Sequence, residues 1–216
     1  MLNLNDYRNI CFKEENFKPL PVQVEQLLYA YHKKYLETHA DKLLAYGGSV
    51  LDQSTLNFDP NYDENIKKHG ESGGVSFHPV PPGIQEVLRK LYSNTILGVD
   101  IMSFWIQTVG NGKSHVLPHN DNDGEKNNRM FNWIYLLDSG GDNVITSWWE
   151  PKPEYKDQTI LGVKGVPFSK LDLIERVQVK EKKWSYLNTE KLHSVEGLTR
   201  ERFALSCFPP ISNVLL

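Results

Sequence analysis

The sequence predicts an α+β fold: helices packed on one face of a double-sheet jelly roll. Two observations predict it. Apolar residues recur at helical spacing only in the stretch before Ile96, and from there on strand-like segments separated by glycine and proline turns take over. The length, 216 residues, suits a single domain over 1–216 with enough chain to bury a core. Its helical part is expected at about 1–95 and its jelly-roll core at about 96–210.

Residues 1–20 are mixed and polar, with Phe12 and Phe17 as anchors. Pro21 opens a helix whose apolar face is Val24, Leu27, Leu28, Tyr31 and Tyr35, with Glu25, Lys33, Lys34 and Glu37 turned to water. Gly47-Gly48 stops it at the latest. His32 and His39 are expected on the surface. Residues 47–80 read as irregular, with Asp59-Pro60-Asn61, Gly70, Gly73-Gly74 and Pro79. A loop of that length is a lid or substrate loop, or an ordinary surface excursion. His69 and His78 fall in it and are not expected to be ligands. Pro81-Pro82 open a second helix with Ile84, Val87, Leu88 and Leu91 on its apolar face, ended by Ser93-Asn94. Strands follow at 97–109, 129–138, 143–149, 172–179, 183–188 and 200–208. Turns fall at Gly110–Gly112, Ser139-Gly140-Gly141 and Pro151–Pro153. Trp148 and Trp149 should face opposite sides by alternation, while Trp105 and Trp133 read as core or sheet-face residues.

Composition excludes several classes. Hydrophobic residues make up 39% and charged residues 24%, and the formal net charge is −3. There is no basic block for a nucleic acid and no apolar run of membrane-spanning length. The first residues lack the charged-then-apolar plan of a signal peptide. Cys11 and Cys207 do not form a disulfide framework, which points to reduced thiols and a cytoplasmic location. Cys207 reads as a small buried hydrophobe.

Chemistry concentrates in two short segments, Pro118-His119-Asn120-Asp121 and Leu192-His193-Ser194-Val195, the second followed by Arg202-Phe203-Ala204-Leu205-Ser206. On an extended strand, residues two apart point to one side, so His119 and Asp121 can converge. His193 completes a facial set of two imidazoles and one carboxylate, which binds one face of Fe(II) and leaves the other open. Arg202 adds a permanent guanidinium whose fork fits a carboxylate. Rivals exist at each place. Asp123 rivals Asp121, and Arg200 shares the parity of Arg202. His115 would share the face of His119 but lie too far along for the same metal.

His119-x-Asp121, His193 and Arg202 resemble the motif of the Fe(II)/2-oxoglutarate-dependent dioxygenases, in particular the prolyl-hydroxylase-like branch. Arg129-Met-Phe-Asn-Trp-Ile-Tyr-Leu-Leu-Asp138 resembles that branch's R-x-x-T-x-x-x-Y-L-N strand, and His193-Ser-Val with Arg202-Phe-Ala-Leu-Ser206 resembles its ending. The resemblance covers about residues 97–209. It implies a double-stranded β-helix and a metal set of His119, Asp121 and His193. It also implies 2-oxoglutarate and O2 as cosubstrates, with ascorbate as an assay additive. The far carboxylate of 2-oxoglutarate would be held by Arg202, with Ser206 and Asn132 assisting. The branch's usual tyrosine falls at Leu136. Tyr135 has the opposite parity and is expected to face away from the pocket.

The activity implied is hydroxylation of a prolyl or other residue in a protein or peptide, or of a free amino acid. A small-molecule desaturase or epimerase shares the same metal set. The alternative from another class is a non-catalytic or isomerase-type metal-binding jelly roll of the cupin kind. Neither a nucleic acid nor a membrane is expected as partner, and oligomeric state is not readable.

Overall fold

The computed structural model describes residues 7–46, 75–93, 103–109, 115–121, 131–155 and 168–208. Strands β1 (Phe12–Glu14) and β2 (Val75–Pro79) flank helix α1 (Val22–Tyr46), and helix α2 (Pro82–Tyr92) follows. Eight further strands are β3 (Ser103–Val109), β4 (His115–His119), β5 (Phe131–Asp138), β6 (Ile145–Pro151), β7 (Leu171–Val177), β8 (Trp184–Asn188), β9 (Leu192–Glu196) and β10 (Arg202–Phe208).

The strands form two antiparallel sheets. The larger runs β1-β8-β5-β10-β3-β2 and the smaller β4-β9-β6-β7. From β3 to β10 the chain mostly alternates between sheets, and sequence neighbours are rarely sheet neighbours. That wiring is a jelly roll, so the fold is α+β with a double-stranded β-helix. The N-terminal part is not purely helical, because β1 and β2 supply both edges of the larger sheet. The first was hidden by its length of 3 residues, the second by its place at the end of a stretch that reads as irregular between two helical patterns. His78 lies on β2, so the irregular stretch ends earlier than expected, and its residues 47–74 fall outside the described residues together with His69 and Asp123.

Each face of the larger sheet has its own core. The outer face packs Trp133, Tyr135, Trp184, Tyr186, Phe203 and Leu205 against Leu20, Val24 and Leu28 of the α1 region and Leu88 and Tyr92 of α2. A fully buried side chain of this size contributes roughly 1.5–3 kcal/mol. The inner face meets the smaller sheet through Ile134, Leu136, Leu187 and Ala204 against Trp148. A smaller cluster joins Val109 to Val116 and Val195.

The helix faces differ from the periodic reading. Leu27 is 55% exposed, and the buried stripe of α2 is Ile84, Leu88 and Tyr92, with Val87 and Leu91 in water. Glu25 was expected in water and is buried. It accepts a hydrogen bond from the Tyr135 hydroxyl at 2.8 Å and pairs with Lys182 at 3.3 Å. His32 was expected on the surface and is also buried, between His78 and Phe203.

Candidate metal centre

His119 ends β4, Asp121 lies two residues beyond, and His193 sits on β9 directly across from His119. The register explains the convergence. Val116 pairs with Val195 and His119 with His193, so three steps on β4 answer two on β9. That β-bulge turns His119 to the side of Val116, whereas strict alternation would have opposed them. Val116 and Val195 face inward, so both ligand histidines do too. The same bulge corrects the reading of His115: it lies on the opposite face from His119, paired with Glu196.

The three side chains offer ligand atoms that all lie within 4.8 Å of one another. The imidazole rings stand 4.4 Å apart, and Nε2 of His119 is 3.5 Å from Oδ1 of Asp121. Ligands about 2.1 Å from one cation and at right angles to each other lie about 3 Å apart, so small rotations close the set.

Tautomers are fixed by one repeated device. Nδ1 of His119 donates to the carbonyl of Leu117 at 2.8 Å, and Nδ1 of His193 to that of Lys191 at 3.0 Å. With Nδ1 protonated, the Nε2 lone pair of each ring is left for a metal. The backbone N–H of Asp121 is held by the carbonyl of Thr189 at 2.9 Å. A neutral Nε2 facing a carboxylate oxygen repels it unless a proton or cation lies between them. The donor set therefore fits a divalent metal.

The charge states agree. Burial holds His193 down at about 4, with the charge of His119 pushing the same way. Burial also pulls His119 down, but the hydrogen bond and charge of Asp121 outweigh it and the net shift is upward.

Arg202 reaches into the same inter-sheet space from β10. It is buried, its Nη1 donates to Oγ1 of Thr146 at 3.0 Å, and its charge is felt by His193. Among the described residues it has no carboxylate partner. Burial lowers the guanidinium to about 10, so it stays charged at neutral pH. Arg200, its rival, is a surface residue paired with Asp138 at 2.9 Å.

Thr146 was not foreseen. It shares the inward side of β6 with Trp148, so alternation from that tryptophan was the available signal. Ser206 lies on the inner face, but its hydroxyl donates to Gln107 at 2.8 Å. Asn132 faces inward as well and is buried, and neither end of its amide is hydrogen-bonded among the described residues. Trp148 is fully buried, and its Nε1 donates to the carbonyl of Asn188, while Trp149 lies on the other side against Phe168. Tyr135 faces away from the site, as expected.

No protein-family profile matches this chain, and no curated protein sequence matches it. Among solved structures it is similar to a prolyl-4-hydroxylase of Pseudomonas putida, at 15% identity and a TM-score of 0.46, with 95% of each chain covered. It is also similar to the non-heme alpha-ketoglutarate-dependent carbocyclase SnoK of nogalamycin biosynthesis, at 13% identity and a TM-score of 0.42, over 74% of this chain and 79% of that one. A 2OG-Fe(II) oxygenase family member from Burkholderia pseudomallei is similar at 14% identity and a TM-score of 0.37, over 62% of this chain and 64% of that one.

Proposed function

We propose that this chain is an Fe(II)- and 2-oxoglutarate-dependent dioxygenase, acting as a hydroxylase. One observation carries the reading: a His-Asp-His set with both histidines buried shares an inter-sheet space with a buried guanidinium that, among the described residues, has a hydroxyl for company but no acid. A buried charge without a counter-charge is costly. An anionic ligand that reaches from the metal to Arg202 relieves that cost.

Charge counting favours a dicarboxylate. The cation brings two positive charges and Arg202 one; Asp121 brings one negative. A dianion makes the closed site neutral. In this reading His119 and His193 hold the metal through Nε2, and Asp121 supplies the third ligand. Arg202, set by Thr146, holds the far carboxylate. Ile134, Leu136 and Trp148 keep the neighbouring space free of water. Bound Fe(II), with 2-oxoglutarate and O2, supplies oxidative decarboxylation of the keto acid and transfer of one oxygen atom to a C–H bond.

The substrate class in this reading is a small molecule, an amino acid or a residue in a peptide. Cys11 and Cys207 are buried and neither is in a disulfide, which supports a reducing, cytoplasmic setting. Among the described residues, no helix is long and apolar enough to cross a membrane.

Succinate release that needs both Fe(II) and 2-oxoglutarate tests the activity. A product heavier by one oxygen marks hydroxylation. Asp121→Ala should lose the metal. Arg202→Ala should keep the metal and bind 2-oxoglutarate at least tenfold more weakly. Equal loss of metal in both variants, or no succinate under any condition, sinks the proposal in favour of a non-catalytic jelly roll.

A further inference from the structure

Asn132 is 1% exposed, and among the described residues neither its Nδ2 nor its Oδ1 meets a hydrogen-bond partner. Its side chain shares a face of β5 with Ile134 and Leu136, which pack inward with Trp148.

Strand register places it at the metal end of that face. Asn132 is opposite Leu187 on β8. The next two residues, Asn188 and Thr189, accept hydrogen bonds from Nε1 of Trp148 and the backbone of Asp121. Trp148 is the cross-strand neighbour of His193. Arg202 lies at the far end, because Ala204 pairs with Leu136 and Ser206 with Ile134. The two residues leave their strands six residues apart, about 20 Å, and the Arg202 side chain spans part of that gap, its Nη1 meeting Thr146 two residues from Trp148. Asn132 therefore stands at the metal rather than at the level from which Arg202 would hold the far carboxylate.

Burying an amide with both ends unmatched destabilises a fold, and an apolar residue of the same shape would serve it better. Its two ends say what ligand would relieve it. Nδ2 needs an acceptor and Oδ1 needs a donor. A carboxylate offers acceptors only and leaves Oδ1 unmatched. Another amide offers one of each. Ser185 extends the same polar strip: its buried, unmatched hydroxyl shares the side of Leu187 on β8, diagonal to Asn132.

We propose that Asn132 is the specificity-determining residue of the site and pairs with an amide group of the substrate, a peptide bond or a primary carboxamide, held beside the metal. The oxygenase reading supplies the metal and the reaction in this proposal. The amide pairing stands on Asn132 itself and favours peptide over free amino acid.

The test uses the full chain loaded with Zn(II) and 2-oxoglutarate. N-methylacetamide (a bare peptide bond), acetamide (a bare carboxamide) and acetate are titrated while the side-chain 1H–15N signals of Asn132 are followed. At least one amide should move them and acetate should not; the stronger of the two amides names the source. Asn132→Leu, free of ligand, should melt about 2–6 °C above wild type and bind 2-oxoglutarate within twofold of it. The proposal is overturned by a shift with acetate alone, by silence from all three probes, by a lower melting temperature, or by tenfold weaker 2-oxoglutarate binding in Asn132→Leu. Failure of the oxygenase reading shows separately, as a metal-loaded wild type that binds no 2-oxoglutarate. In that event the amide titration and the melting shift still decide this proposal.

Discussion

Nδ1 of His32 on α1 lies 3.4 Å from Nε2 of His78 on β2, and both buried rings are stacked at 12°. One hydrogen bond holds one proton, so one ring donates and the other accepts. The other nitrogen of His32 faces Oε1 of Glu201 at 3.2 Å, and its ring lies on Phe203 at 4.6 Å. Glu201 and Phe203 flank Arg202, so α1 grips β10 on both sides of the buried cation.

Removing that grip should be costly. His32→Leu is expected to lose about 2–4 kcal/mol in urea unfolding, from lost packing and a stranded partner. Glu201→Gln should lose no more than about 1 kcal/mol, since its side chain is 33% exposed. A loss below about 1 kcal/mol for His32→Leu would mean the helix is held elsewhere.

The metal-free protein should show a signed pH dependence at His193. Its imidazole is held at about 4 rather than the usual 6.5, chiefly by burial. Between those values the unfolded chain binds a proton that the folded site refuses, so stability falls as pH drops through the window. His119 works the other way: its contribution is full below 6.5 and fades as pH rises through its raised value. Urea unfolding from pH 6.5 to 4 should therefore cost wild type up to about 3 kcal/mol more than His193→Leu. Parallel pH profiles for the two proteins would refute the assignment.

The chemistry of the site was easier to read than the strands that carry it. His119, Asp121, His193 and Arg202 stand out because their spacing has few structural explanations. Strands β4 and β9 did not stand out, because all or nearly all of their five residues are buried, which erases the alternation that marks a strand. The bulge between Val116 and His119 leaves no trace in composition, so the side taken by His115 was misread. Glu25 and His32 look solvated within their own helix. Their partners Tyr135 and Glu201 are 110 and 169 residues away, beyond the reach of local periodicity.

Gly140 ties the turn after β5 to the cation. Its φ is +83°, a conformation that side chains resist, and an added Cβ would lie 2.8 Å from Cδ2 of Leu198 and 3.0 Å from Cβ of Arg202. Gly140→Ala should therefore destabilise the protein by about 2 kcal/mol or more and weaken 2-oxoglutarate binding by moving Arg202. A variant as stable as wild type would show that the turn relaxes without reaching β10.

Thr146 separates a role in orienting Arg202 from a role in packing. Thr146→Val keeps the shape and removes the oxygen that accepts from Nη1 of Arg202. A charged donor left unmatched in a buried site costs about 1–3 kcal/mol, so the ligand-free protein should lose about that much stability. The guanidinium, no longer tethered, should hold 2-oxoglutarate about tenfold more weakly, which is about 1.4 kcal/mol. Metal affinity should not move, because His119, Asp121 and His193 keep their own hydrogen bonds. Thr146→Ser returns the hydroxyl without the methyl and should restore cosubstrate affinity. Calorimetric titration of 2-oxoglutarate into the metal-loaded variants reads all of this. If valine and serine weaken binding equally, the methyl and not the oxygen is what Arg202 needs, and Thr146 is a packing residue.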